Sequence, residues 1–253
     1  MRNRTIALAA ALLGAGIFLL AAAARSEEIK VLASAAVKEA YLELVPQYEK
    51  ASGNKVAITW SGTADIMKRI KAGESPDLVV VAANSLDELI KAGKVAPGSR
   101  VDLAKSGVGV AVRAGAPRPD ISSGEALKRA LLSSKSIGYS TGPSGLYIAS
   151  LFERWGIAEQ VKPRLKQVAP GVNVGELVAR GEADIGFQQV SELLPVQGIQ
   201  YLGPLPPDIQ LTTVFSGGIP VGAKQPAAAK ALVQFLTAPA AVPVIRKKGM
   251  EPG

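Results

Sequence analysis

The chain of 253 residues carries 29 Lys and Arg against 21 Asp and Glu, a formal net charge of +8, and contains neither His nor Cys. The missing cysteines exclude disulfides, thiolate nucleophiles and cysteine-bound metal centres, and the missing histidines exclude a Ser-His-Asp triad and imidazole ligands. With 48% hydrophobic and 20% charged residues the composition is globular, so any catalysis falls to carboxylates, Lys, Tyr or backbone donors.

Residues 1–26 read as an export signal. Arg2 and Arg4 precede the apolar run from Ile6 to Ala24, and small residues crowd its end at Ala22-Ala23-Ala24 and Ala24-Arg25-Ser26. A transmembrane helix of similar length is the rival, but charged sequence follows at once, which favours cleavage. Loss of Arg2, Arg4 and Arg25 leaves 26 basic and 21 acidic residues, with Arg246-Lys247-Lys248 as the one basic cluster. Such a dispersed excess is solvated surface rather than a nucleic-acid site, though its field helps attract anions. Export without disulfides suits a bacterial periplasm.

Downstream, short β-branched runs alternate with amphipathic stretches. Ile29 to Ala33 is a predicted strand, and Val37, Tyr41, Leu44, Val45 and Tyr48 mark one face of a helix closed by Ser52-Gly53-Asn54. A strand over Lys55 to Trp60, a helix over Thr63 to Ala72 and a strand over Asp77 to Ala82 follow. That order implies parallel pairing with right-handed crossovers, hence an α/β chain.

Gly107 to Val112 starts the middle as a Gly/Val-rich strand, and Gly124 to Ser133 is a short helix. Ser136 to Ser140 reads as a strand, Ser144 to Trp155 as a helix, Val172 to Gly181 as helical and Ala183 to Gln188 as a strand. Val190 to Leu194 is a helix stopped by Pro195, and Ile199 to Leu202 and Leu211 to Phe215 are short strands. Pro226 to Thr237 and Ala240 to Lys248 are helical. Because the series restarts after Gly107, two α/β lobes are expected. On pattern alone, either lobe could receive the final helices.

Three strand-to-helix junctions share one device, small hydroxyl residues or glycines: Ser34-Ala35-Ala36, Ser61-Gly62-Thr63, and Thr141-Gly142-Pro143-Ser144-Gly145. In an open parallel sheet, ligands gather beyond the carboxyl ends of the strands. A helix start there offers unpaired N–H groups and partial positive charge, so it holds an anion without a full cation. Each motif alone is an ordinary cap; three together point to a converging anion site. Gln188-Gln189-Val190-Ser191 is a fourth junction, and Gln is a poor N-cap but a good forked hydrogen-bonding group. Arg69 is either a solvated surface cation or a guanidinium forked onto a ligand carboxylate. Tyr147 either points its phenol at the same site or packs. Glu192 reads as a capping or lobe-bridging carboxylate, with a base role as the alternative. No residue set suggests a metal or a cofactor.

In these motifs the chain resembles the type II periplasmic solute-binding proteins, in particular the molybdate-binding-protein-like branch. The resemblance rests on Val31-Leu32-Ala33-Ser34-Ala35-Ala36, Ser61-Gly62-Thr63, Pro76 to Val80, Gly181-Glu182-Ala183-Asp184-Ile185-Gly186, and the finish from Phe235 to Pro239 and from Lys248 to Pro252. It implies a monomer of two lobes, each a mixed or parallel sheet flanked by helices, with residues 27–108 and 216–253 in one lobe and 109–215 in the other. The ligand would lie in the cleft, and an ABC transporter permease would be the partner. Ala36 stands where molybdate binders usually place Ser, and Gln189 where they commonly place Tyr, so an organic polycarboxylate is favoured over molybdate. Gly142-Pro143-Ser144 and the run from Gly186 to Leu194 look closer to aconitate isomerases on the same scaffold. The alternative is therefore cofactor-free interconversion of cis- and trans-aconitate, with Tyr147, Glu192 or a Lys as base.

Overall fold

The computed structural model describes residues 27–253; the expected export signal lies outside the described residues. The chain runs β1 (Glu28–Ser34), α1 (Lys38–Ser52), β2 (Lys55–Ser61), α2 (Thr63–Lys71), β3 (Leu78–Ala82) and α3 (Ala83–Lys91). It continues as β4 (Val101–Arg113), α4 (Gly124–Ser133), β5 (Ile137–Tyr139), α5 (Pro143–Arg154), α6 (Ala158–Val161) and β6 (Leu165–Gln167). Then come α7 (Val174–Ala179), β7 (Ile185–Gln189), α8 (Val190–Leu193), β8 (Ile199–Pro204), β9 (Thr212–Gly218), α9 (Pro226–Leu236), α10 (Val242–Lys247) and β10 (Glu251–Pro252).

The sheet runs β2-β1-β3-β9-β4-β7-β5-β6, with β8 and β10 also paired to β4. At one end β1 is parallel to both β2 and β3; at the other, β5 is parallel to both β6 and β7. Antiparallel strands join these two parallel cores. β4 pairs with β9 along Val101 to Gly107, and with β7 and β8 from Val108 and Gly109 onward. A single 13-residue strand therefore serves both halves, where the sequence suggested only its second part, Gly107 to Val112. The Gln210 amide braces the point where partners change. Its Oε1 accepts from the Val108 N–H at 2.9 Å and its Nε2 donates to the Val108 carbonyl at 3.0 Å.

Each parallel core buries apolar side chains on both faces, as its continuous Val/Leu runs demand. On one face of β1–β3, Val31 and Val80 pack with Tyr41, Leu44 and Tyr48 of α1 and with Leu232, Leu236 and Ile245 of the last helices. The final helices thus cover the first half of the sheet. Leu32, Val79 and Val81 fill the other face with Ile66 and Ile70 of α2 and Leu86 and Leu89 of α3. The second half packs Val108, Val110, Ile185 and Phe187 against Leu127, Ile148 and Phe152. Asp77 ties chain ends to the first core: its buried carboxylate accepts from the backbone N–H groups of Lys30, Lys224 and Gln225, all at 2.8 Å. Among the described residues no single helix is long and apolar enough to cross a membrane.

Candidate functional site in the interlobe cleft

The strand ends expected to carry the site meet around one cleft. On the first-lobe side, β1 ends at Ser34, whose Oγ accepts from the Ala36 N–H at 3.4 Å and opens a 3-10 turn over Ala35–Val37. β2 ends at Ser61, and Gly62 caps α2 with no side-chain hydrogen bond, so the first N–H groups of the helix lack a side-chain partner. Thr63 is buried, and its Oγ1 has no hydrogen-bond partner. The other buried hydroxyl without a partner among the described residues is that of Tyr41, which sits in the core edge-on to Trp60 at 6.2 Å. Burial alone holds that phenol well above its ordinary pKa. Thr63, by contrast, faces the cleft.

The second-lobe side is built from β5, β7 and the loop after β6. Ser140 Oγ lies 3.2 Å from Ser144 Oγ and accepts from the Gly142 N–H at 3.2 Å, fixing the turn into α5. Gly142 caps α5 without a side-chain bond, and Pro143 occupies the first turn, where its missing N–H is no loss. The Cβ of any larger residue at Gly145 would overlap the Ser140 carbonyl oxygen, so this glycine serves close packing of helix on strand end. Gln188 is engaged on both sides of its amide. Its Oε1 accepts from the Val174 N–H at 2.7 Å and its Nε2 donates to Glu192 Oε1 at 2.9 Å. Gln189 is satisfied with its nitrogen donating to the Ser106 and Gly107 carbonyls at 3.0 and 3.2 Å and its oxygen accepting from Thr213 Oγ1 at 3.1 Å. That amide clasps β4 and β9 where both cross between the lobes.

Two adjoining spaces result. The inner one, about 30 Å³, is walled by both sides and by Ala169, Gly171, Val172 and Phe215. Among the described residues its lining contains no Lys or Arg, and Glu192 is the one ionisable side chain there. Burial pushes the Glu192 carboxyl up to about 7, against the opposing pull of the Gln188 amide and the Gln189 backbone. The outer space is a groove of about 630 Å³ that shares Thr63, Thr141, Gly142 and Pro143 with the inner one. At Gly62 a Cβ would lie 3.5 Å from the Gly171 nitrogen, so loops from opposite lobes already touch beside the inner space.

Ser34, Ala35, Ala36, Gly62 and Thr63 line the inner space from one side. Thr141, Ser144, Gln188, Gln189 and Glu192 line it from the other. The remaining expected residues lie elsewhere. Ser61 Oγ donates to Asp65 Oδ2 at 2.7 Å. Arg69 is spent in a fork on Glu74, at 2.6 and 2.7 Å, with Asp65 at 3.8 Å, which is the solvated-surface reading of that residue. The Tyr147 hydroxyl donates to the Ile209 carbonyl at 2.7 Å and accepts from Arg154 at 3.1 Å, leaving its ring on the outer groove. Ser191 Oγ sits 3.4 Å from Ser106 Oγ behind the cleft, and Gly145 is a packing glycine. Sequence reasoning missed Ser140, the loop at Ala169 to Val172, and α3 with Asn84 and Ser85. The Ala169-Pro170-Gly171 turn was a usable signal, but the strand before it is only three residues long.

Such a lining can hold a small anion through hydroxyls and helix-start N–H groups, with a protonatable carboxyl beside it. The family model of bacterial extracellular solute-binding proteins matches residues 29–251. Aconitate isomerase of Pseudomonas sp. is 38% identical over 257 residues, covering 99% of this chain and 97% of that protein. The molybdate-binding protein ModA of Azotobacter vinelandii is 30% identical over 246 residues, covering 94% of each. Among solved structures, the Azotobacter vinelandii periplasmic molybdate-binding protein superposes with a TM-score of 0.75 at 19% identity, covering 89% of this chain and 99% of that one. At that identity the likeness establishes the two-lobed fold alone.

Proposed function

The chain belongs to the bacterial extracellular solute-binding protein family, and from that premise we propose that it binds a small organic polycarboxylate in its cleft and interconverts cis- and trans-aconitate. One observation carries the enzymatic part: a carboxyl poised at about 7, Glu192, stands in a cleft lining that is otherwise uncharged. Full-length similarity to an aconitate isomerase supports the same reading. The candidate binding residues are those that line the inner space, with Glu192 rather than Tyr147 as the base.

The reaction is an allylic proton shift. A base removes a proton from the methylene carbon, and the electron pair moves into the adjoining unsaturated carboxylate as a dienolate. Reprotonation at the former vinyl carbon completes the shift, so no atom is gained or lost. Near neutrality a carboxyl of pKa about 7 is populated in both forms, which suits one group to take the proton and return it. Helix-start N–H groups at α2 and α5 would hold the carboxylate oxygens where charge develops. We assign residues 27–108 and 216–253 to one lobe and 109–215 to the other, in a monomer exported to the periplasm.

Purified residues 27–253 incubated with cis-aconitate should yield the trans isomer, read by chromatography. Glu192→Gln should lower that rate by at least about 100-fold while aconitate still raises the melting temperature of the variant. The second reading is capture of the anion unchanged for an ABC transporter permease, and it rests on the family itself. It prevails if no product forms above the uncatalysed rate although ligand stabilises the protein. In a thermal-shift panel of molybdate, tungstate, citrate and tricarballylate, stabilisation by molybdate alone would overturn the polycarboxylate reading.

A further inference from the structure

We infer that the outer groove is a second ligand subsite, which takes the distal carboxylate of an extended polycarboxylate and the carbon beside it, with Lys71 as its cation. The inference rests on the polycarboxylate reading above and adds where the rest of such a ligand lies. The inner space, about 30 Å³, is too small for a whole six-carbon polycarboxylate, so part of such a ligand must lie outside it. It has no cation to balance further charge. The adjoining groove of about 630 Å³ begins at the walls the two share, Thr63, Thr141, Gly142 and Pro143. Thr63 stands at that junction with a buried hydroxyl that has no partner among the described residues, which independently points to a ligand atom there.

The lining of the groove differs in character from that of the inner space. Met67, Leu146, Leu211 and Val214 give it an apolar stretch, and Leu146 is 65% exposed, a surface that a ligand's carbon chain would cover. Its lining also includes Lys71, from the last turn of α2, and Asn84 and Ser85, from the first turn of α3. α2 places Thr63 and Lys71 two turns apart, about 12 Å along the axis, and a helical side chain leans back toward the helix start and shortens that gap. This spacing suits two charges joined by a short carbon chain, not a compact tetrahedral oxyanion. Glu88 also lines the groove, with its Oε2 at 3.7 Å from Lys71 Nζ. Both side chains are more than half exposed, so the pair is loose and Lys71 is free to turn to a ligand.

The two charges predict opposite effects. Calorimetric titration with tricarballylate, which has no double bond to shift, should show about fivefold weaker binding for Lys71→Gln and several-fold tighter binding for Glu88→Gln. Both variants should melt within about 2 °C of the parent, because an exposed pair contributes little to stability. Binding by both variants equal to the parent's, or shifted in the same direction, overturns the subsite. If the parent itself binds molybdate but not tricarballylate, the polycarboxylate reading fails first and takes the subsite with it. In the Glu192→Gln background the Lys71 effect should persist, which separates the subsite from the proposed proton transfer.

Discussion

The two walls of the cleft present similar residues in opposite states. On the second-lobe wall nearly every polar side chain is committed to its own protein: Ser140 to Ser144 and Gly142, Gln188 to Val174 and Glu192, Gln189 to the crossing strands. On the first-lobe wall Ser34 makes one long bond, Gly62 offers no side chain, and Thr63 Oγ1 makes no bond. A braced wall sets geometry, whereas an unspent wall leaves donors for a guest. Substitutions on the two walls should therefore separate into effects on folding and effects on binding.

The largest effect is expected on the braced side. Gly145→Ala drives a methyl into the Ser140 carbonyl and should destabilise the protein by roughly 3 kcal/mol, lowering its melting temperature by about 10 °C. An unchanged melting curve would show that the α5 start yields easily and that this wall is not braced. Glu192 gives the next effect. Its carboxyl is held up at about 7 in the folded state, against the ordinary 4.5, so the folded protein keeps a proton that the unfolded chain has lost. Its contribution is therefore fully present below about 4.5 and is lost as pH rises through about 7. Relative to the parent, Glu192→Gln should gain up to roughly 3 kcal/mol at pH 8 and nothing at pH 4, measured by urea unfolding at both values. The same proton should make anion binding tighten below about pH 7 in the parent and not in the variant.

On the unspent wall the expectation reverses. Thr63→Val keeps the shape and removes an unsatisfied hydroxyl, so the free protein should be as stable as the parent or slightly more so. Ligand affinity should fall about fivefold, the worth of roughly 1 kcal/mol of hydrogen bond. Equal affinity would remove Thr63 from the site. Smallest of all, Arg69→Ala should leave ligand affinity unchanged and stability within about 1 kcal/mol, since its fork onto Glu74 lies on the surface.

Much of this was legible in the residues. The parallel order at each end and the three hydroxyl or glycine junctions follow from hydrophobic period and turn chemistry, both local. What the sequence could not carry is how hydrogen bonds are shared out between distant segments. Gln188 and Gln189 read as ligand amides, yet Gln188 serves Val174 and Gln189 serves Ser106, Gly107 and Thr213, partners that only the tertiary fold brings near. Arg69 kept two readings open because its acid, Glu74, lies past the end of α2, outside helical spacing. The rise in Glu192 came from burial, which no neighbour in sequence announces. α3 was legible and overlooked: Leu86, Leu89 and Ile90 fall on one face, immediately after the strand that ends at Ala82.

The most direct test of the account is proton NMR of trans-aconitate in D₂O with the parent protein and with Glu192→Gln. The parent should form the cis isomer and bring deuterium into the ligand's methylene position, while the variant should bind the ligand and leave its protons in place. Ligand held by the parent with neither isomer nor deuterium appearing, or exchange at the parent's rate in the variant, would contradict it.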